Sequence, residues 1–271
     1  MNGIRGWLLL MGKTLAKTEQ VIELAFCAGS LLLENGAEIS RVEETMERIC
    51  VYYGVRSENA FVLSNGIFIT GNDEEGNDFV RVQHIPVSGT HLNKVIAINQ
   101  LSREIEGGKY SVEEAMGALE AIRSEKEKGR AVRIGAAGLG SAAFCYLFGG
   151  SVWDSAVVFV AGMLLYSFQL YFAVPHLSKI TGNIAGSLVA VLFCGCLYLA
   201  GAGQDLSYMA VGAVMPLVPG VAFVNAIREI ADGDYISGFV RMLDALLVFF
   251  CIAAGVGGGF FIIGQLRGWG F

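Results

Sequence analysis

Apolar positions are distributed in two different ways along this chain. Up to about residue 130 they alternate with polar ones at helix and strand spacing. Beyond 131 they close up into long runs: 33 of the 44 Asp, Glu, Lys and Arg side chains lie in residues 1–130. Five runs, at about 132–150, 152–173, 180–202, 206–226 and 238–264, are long enough to cross about 30 Å of hydrocarbon. The fifth is long and glycine-rich ("GVGGGFF"), so tilting, kinking or extension past the bilayer are all open to it. In the polar half, 14–35 reads as an amphipathic helix stopped by Gly36. "SRVE" (Ser40–Glu43) has capping-box spacing, and the helix after it stops at Gly54. Strand-like "AFVL", "IFIT" and "FVRVQHIPV" follow, the last two separated by the acidic turn "GNDEEGND", and Asn65-Gly66 offers another turn. "HLNKVIAINQLSREIEGG" is helical to Gly107-Gly108, and "SVEE" (Ser111–Glu114) caps a final helix. The expectation is a mixed fold: an N-terminal segment (1–13), a cytoplasmic α+β domain (14–130), and an all-α transmembrane bundle of about five helices (131–271).

Composition agrees. The chain is 54% hydrophobic and 16% charged, too apolar for an ordinary soluble globule. The net charge of −6 comes with no basic stripe, so no nucleic-acid partner is expected. Residues 1–20 carry an apolar patch too short to span and no small-residue cleavage site, and read as a mature end resting on the membrane or on the domain. Cys27, Cys50, Cys145, Cys194, Cys196 and Cys251 form no CxxC pair and read as packing residues. Positive charge orients the spans. Arg123, Lys126, Lys128, Arg130 and Arg133 precede the first run. Lys179 lies in the second connection, Arg228 in the fourth, with Arg241 just inside the fifth run. The first and third connections have neither Lys nor Arg. This places residues 1–130 in the cytoplasm and the C-terminus outside, with Arg267 as the one exception.

Two of the four prolines, Pro216 and Pro219, interrupt the uncharged run "AVGAVMPLVPGVAF" and precede Gly220. They should free the carbonyls of Gly212 and Met215, which hydrocarbon tolerates only if protein, water or a solute takes them. Broken mid-membrane helices form substrate and ion sites in transporters; a kink that only shapes the bundle is the other reading. Arg241 and Asp244 share a face of the fifth run, as a functional site or as an internal ion pair. Asn183, Gln169 and Asn225 either line a polar path or bridge helices. The pairs Gly182/Gly186 and Gly255/Gly259 suit close helix packing. Asp154 reads as solvated near the outer surface, "REIADGDY" (228–235) as a charged cytoplasmic loop, and His176 as interfacial.

Enzyme chemistry finds little footing. His84 and His91 are separated by Pro86, and the acids Asp73, Glu74, Glu75 and Asp78 suit a solvated hairpin tip. No HExxH, GxSxG or P-loop occurs, so no catalytic residue, metal or cofactor is expected.

Taken together, "GAEISRVEETMERICVYYGV", "RVQHIPVSGTHLNKVIAINQLSREIEGG", "TGNIAGSL", "MPLVPG" and "ADGDYISGFVRMLDALL", in this order over about residues 14–264, resemble the threonine/serine exporter family. The resemblance is to the short form, with one soluble domain and one set of spans, similar to the large subunit of a two-component succinate exporter. It implies a plasma (inner) membrane location and a small membrane subunit supplying the second set of spans, with a homo-oligomer as the other way to complete it. Five spans followed by five more would be inverted repeats. The implied cargo is a small carboxylate-bearing metabolite, an amino acid or a dicarboxylate, moved by an ion gradient. The expected site is Pro216, Pro219, Gly220, Asn183 and Asn225, with Arg241 meeting the carboxylate and Asp244 carrying a proton or balancing charge. The alternatives are a membrane-anchored hydrolase acting through residues 14–128 and a non-transporting regulatory subunit.

Overall fold

The computed structural model describes residues 2–55, 59–72, 78–85, 91–125 and 128–268. The chain divides into two compact units: Met1–Lys126 with Val224–Met242, and Glu127–Phe223 with Leu243–Phe271. The fold is mostly helical, with one small sheet and several apolar helices.

In the first unit, helix α1 (Asn2–Glu34) starts far upstream of residue 14, so residues 2–13 belong to it. Gly36, at φ +79°, ends it. There the Ala37 N–H donates to Leu32 O (3.0 Å) and the Gly36 N–H to Leu33 O (3.1 Å), a closure that only a left-handed residue permits. Helix α2 (Ile39–Tyr52) buries Ile39, Val42, Met46, Ile49 and Cys50, the i, i+3/i+4 face of an amphipathic helix. The capping box expected at Ser40–Glu43 does not form. The helix begins at Ile39 after Glu38, with no side-chain cap, and Glu43 instead accepts the Val62 N–H of the first strand at 3.3 Å. Strands β1 (Asn59–Leu63), β2 (Gly66–Asn72) and β3 (Asp78–His84) form an antiparallel sheet in that order. Leu63 pairs with Gly66 across the Ser64-Asn65 turn. Strand alternation puts Val62, Ile67 and Ile69 in the core and leaves Phe61 and Val82 exposed. Residues 73–77, including Asp73, Glu74 and Glu75, and Pro86 lie outside the described residues. Helix α3 (Leu92–Glu106) closes at Gly108, φ +78°. Helix α4 (Val112–Ser124) opens with the expected box: Glu114 N–H to Ser111 Oγ, 3.3 Å, and Ser111 N–H to Glu114 Oε2, 2.8 Å.

The second unit contains α5 (Arg130–Leu147), α6 (Val152–Phe168), a π turn (Gln169–Ala173) leading into the short α7 (Val174–His176), α8 (Lys179–Leu199) and α9 (Leu206–Val214). A 3₁₀ turn (Met215–Leu217) separates α9 from α10 (Gly220–Ala231), and α11 (Tyr235–Leu266) follows; the boundaries between units fall within α10 and α11. Val152–His176, Lys179–Leu199 and Tyr235–Leu266 are long and apolar enough to cross a membrane, and the bent pair Leu206–Leu217 with Gly220–Ala231 makes a fourth. Helix α5 matches the first expected run but carries Arg130 and Arg133 in its first turn and is rich in Gly and Ala. The glycine pairs pack as their spacing implies. A Cβ on Gly186 would lie 2.8 Å from Gln169 Nε2, and one on Gly259 would lie 2.7 Å from Val191 Cγ1.

Candidate functional site

The helix break is where the prolines put it: α9 and α10 bend by 67° across it. The carbonyls expected to be freed are not bare, however. Gly212 O accepts the Met215 N–H, and Met215 O accepts the Val218 N–H at 3.1 Å, because the chain tightens to i+3 bonding. Leu217 and Val218 pack against the apolar cluster of the unit. Pro216 and Pro219 are half-buried and Gly220 is exposed at the head of α10. The break is therefore a closed, bonded joint rather than a row of open acceptors.

Arg241 and Asp244 do not pair with each other. Asp244 receives the Lys179 ammonium on both oxygens, at 2.7 and 2.6 Å, and both side chains are more than half exposed. Arg241 is 12% exposed and meets Glu229 Oε1 at 3.0 Å through Nη1. Its Nη2 donates to Ala37 O at 3.1 Å. Asn225 Nδ2 donates to Gly36 O (3.3 Å), Glu229 Oε1 accepts the Ile39 N–H (3.3 Å), and Arg228 pairs with Glu38. Four consecutive residues, Gly36 to Ile39, are thus each held by a polar side chain from α10 or α11. Ser237 Oγ takes the Ser64 N–H at 3.2 Å in the same unit. Gly238 lets α11 cross α10 closely, since a Cβ there would lie 2.9 Å from Ile230 N and 3.0 Å from Ala226 O.

Of the expected site residues, Asn225 and Arg241 lie in the first unit; Asn183, Pro216, Pro219, Gly220 and Asp244 lie in the second. Asn183 is half-buried on α8, and its carbonyl accepts Ser187 Oγ at 2.8 Å. Gln169 bridges to α8 through Gly182 O at 3.2 Å. His176 is exposed and within 3.2 Å of Phe172 O.

Two polar residues sit differently from what the sequence suggests. The stretch 228–231 is helical, not loop, and Glu229 is 2% exposed. Its spacing of four from Asn225 is the one signal that both share an inward face. Asp154 is 1% exposed rather than solvated. Its Oδ2 accepts Ser151 N–H (3.0 Å) and Oγ (2.8 Å), and its Oδ1 accepts the N–H groups of Gln204 (2.6 Å) and Asp205 (3.4 Å). Two cavities lie near Asp154 and its partners: one of about 620 Å³ lined by Trp153, Val157, Leu197, Gly203 and Gln204, and one of about 270 Å³ lined by Tyr198, Asp205, Ser207, Phe260 and Arg267. None of the seven expected residues lines either.

Long apolar helices, one of them broken and bent, define a polytopic helical membrane protein. The family described as "Putative threonine/serine exporter" (ThrE) matches residues 23–263, and the chain belongs to that family. It is 27% identical to the "Probable succinate transporter subunit YjjP" of Escherichia coli K12 over 93% of this chain and 99% of that protein. The Klebsiella aerogenes protein of the same name is likewise 27% identical, over 93% and 98%. The "Threonine/serine exporter" of Corynebacterium glutamicum is 23% identical over 88% of this chain but only 50% of its own length. No solved structure matches.

Proposed function

We infer that the chain is one subunit of a secondary transporter exporting a small carboxylate-bearing metabolite, a threonine/serine-type amino acid or a succinate-type dicarboxylate. The observation that carries this reading is the apolar helix pair bent by 67° at Pro216–Gly220, in a chain of an exporter family. Supporting it, only 28–39% of each long apolar window is buried within the chain, so most of the helical surface is left for lipid or a partner. A small membrane subunit with the second set of spans is that partner in this reading, as the word "subunit" in the E. coli relative's name suggests; a second copy of this chain is the other candidate. Counting α5 as a span gives five, with residues 14–130 in the cytoplasm of a cell whose inner membrane holds the bundle, and the C-terminus outside.

Within the second unit, Pro216, Pro219 and Gly220 supply the flexing joint. Asn183 lies along the path, and the exposed Lys179–Asp244 pair offers a cation to a carboxylate and an anion to balance it. Asn225 and Arg241 act by holding the Gly36–Ile39 loop. The test is reconstitution in proteoliposomes with and without a partner subunit, following labelled amino acids and dicarboxylates. Saturable flux that falls when Pro216 and Pro219 both become leucine is expected. Flux of neither class under any gradient overturns the reading.

A further inference from the structure

Two carboxylates are buried among the described residues, and they are satisfied differently. Both oxygens of Asp154 are filled by four N–H and O–H donors, three of them main-chain groups. In Glu229 only Oε1 is bonded, to the Arg241 guanidinium and the Ile39 N–H, while Oε2 is buried with no partner. A carboxylate removed from water with one bare oxygen is kept ionised chiefly by its cation. Arg241 has a second acceptor in Ala37 O, so it can let go of Glu229 and stay bonded. Once it does, the charged form of Glu229 has lost its compensation, and the open oxygen is where a proton goes.

The other charged groups around Glu229 are the carboxylates of Glu38, at the head of α2, and Asp234, in the turn after α10, with Arg241 from α11 as its cation. Arg228, on α10 itself, is engaged with Glu38. Asp244 is the weaker candidate for such a role, because it is 53% exposed and gripped by an exposed Lys179; water hydrates it in either state.

We propose that Glu229 is the proton-carrying carboxyl of the transport cycle and that Arg241 is the group that releases it. The inference rests on the transporter reading for its consequence. One proton is taken from water onto Oε2 as the ion pair opens, and the same proton is returned as it closes. Because Oε1 also holds the Ile39 N–H, opening loosens the Gly36–Ile39 loop at the start of α2. Glu229 lies on α10, the helix that continues from the break, so the protonation state acts on the bent span through its own backbone.

The test uses the full chain with its partner in proteoliposomes. Glu229→Gln is expected to cut flux driven by a pH gradient on the order of tenfold or more, while substrate-for-substrate exchange at equal pH persists. Glu229→Asp, which still titrates, restores the pH response. Wild-type pH response in Glu229→Gln, or no recovery of it in Glu229→Asp, overturns the proposal. If the wild type moves no substrate at all, the transporter reading fails, and a second readout still judges the proton. Amide exchange at residues 36–39, corrected for the intrinsic base-catalysed rate, should lose protection as pH falls from about 8 to about 5 in the wild type, and should be weakly protected at every pH in Glu229→Gln. Identical exchange profiles in the two proteins overturn it.

Discussion

The cores of the two units are made of different residues. In the first, the fully buried side chains are large aliphatics: Leu24, Leu32, Leu33, Ile39, Met46, Ile49, Ile67, Ile98 and Ile105. In the second, Ala161, Ala190, Ala210, Ala213, Cys145 and Cys194 share the centre with Val158, Leu165, Val191 and Met209, while Leu147, Trp153, Phe172 and Phe250 are turned outward. Water rewards burial of large apolar chains, at about 25 cal/mol per Å². Lipid gives no such reward, because it is as apolar as the interior, and helices associate there by close approach over small residues. Hydrophobicity therefore sorts inward from outward residues in the first unit; in the second, smallness carries much of that signal.

Five substitutions put that contrast at risk, beginning with the largest effect. Arg241→Gln strands the Glu229 carboxylate and should cost about 3–5 kcal/mol, whereas Lys179→Gln breaks an exposed pair and should cost under about 1 kcal/mol. Denaturant unfolding in detergent compares them, and equal losses would erase the distinction between the two pairs. Leu32→Ala should destabilise the first unit by about 2–5 kcal/mol, read from the protease resistance of α1 and α2. Gly255→Ala tests the opposite sensitivity. Its Cβ collides with Ser187 Oγ and with the main-chain oxygen of Ile184, which cannot swing away, so one added methyl should cost about 1–3 kcal/mol. A neutral result would mean that α8 and α11 have room to part. The smallest effect concerns acid. Lys109, Gln100 and Tyr110 hold the exposed Glu104 carboxyl down to about 2 from an ordinary 4.5. Because the folded value is the lower one, its stabilisation is complete above pH 4.5 and disappears as pH falls towards 2. Glu104→Gln should therefore lower stability slightly at neutral pH, flatten the acid limb of the stability curve and match the wild type once pH falls to about 2.

Local rules were legible wherever a residue's own backbone decided the outcome. Gly36, Gly54 and Gly108 end helices in the left-handed conformation, Ser111 and Glu114 cap α4, and the proline pair breaks its span. They failed where a distant group competed. The Ser40 box lost Glu43 to β1 and gave way to a start at Ile39. "REIADGDY" looked like a solvated loop because its charges carry no sign of the loop 36–39 that buries Glu229. Asp154 looked exposed because the N–H groups that fill it belong to Gln204 and Asp205, fifty residues on in the chain. The freed carbonyls at the break were a correct inference with an unforeseen remedy: i+3 bonds took them up.

The grip on Gly36, Ala37 and Ile39 is made almost wholly to their main-chain atoms. Every residue has such atoms, so the identities at these three positions are barely read by Asn225, Glu229 and Arg241. What limits the sequence there is instead the left-handed turn at 36 and the core that Ala37 and Ile39 fill. The three gripping side chains answer to a different constraint, because none can be exchanged without loosening its hold on the loop.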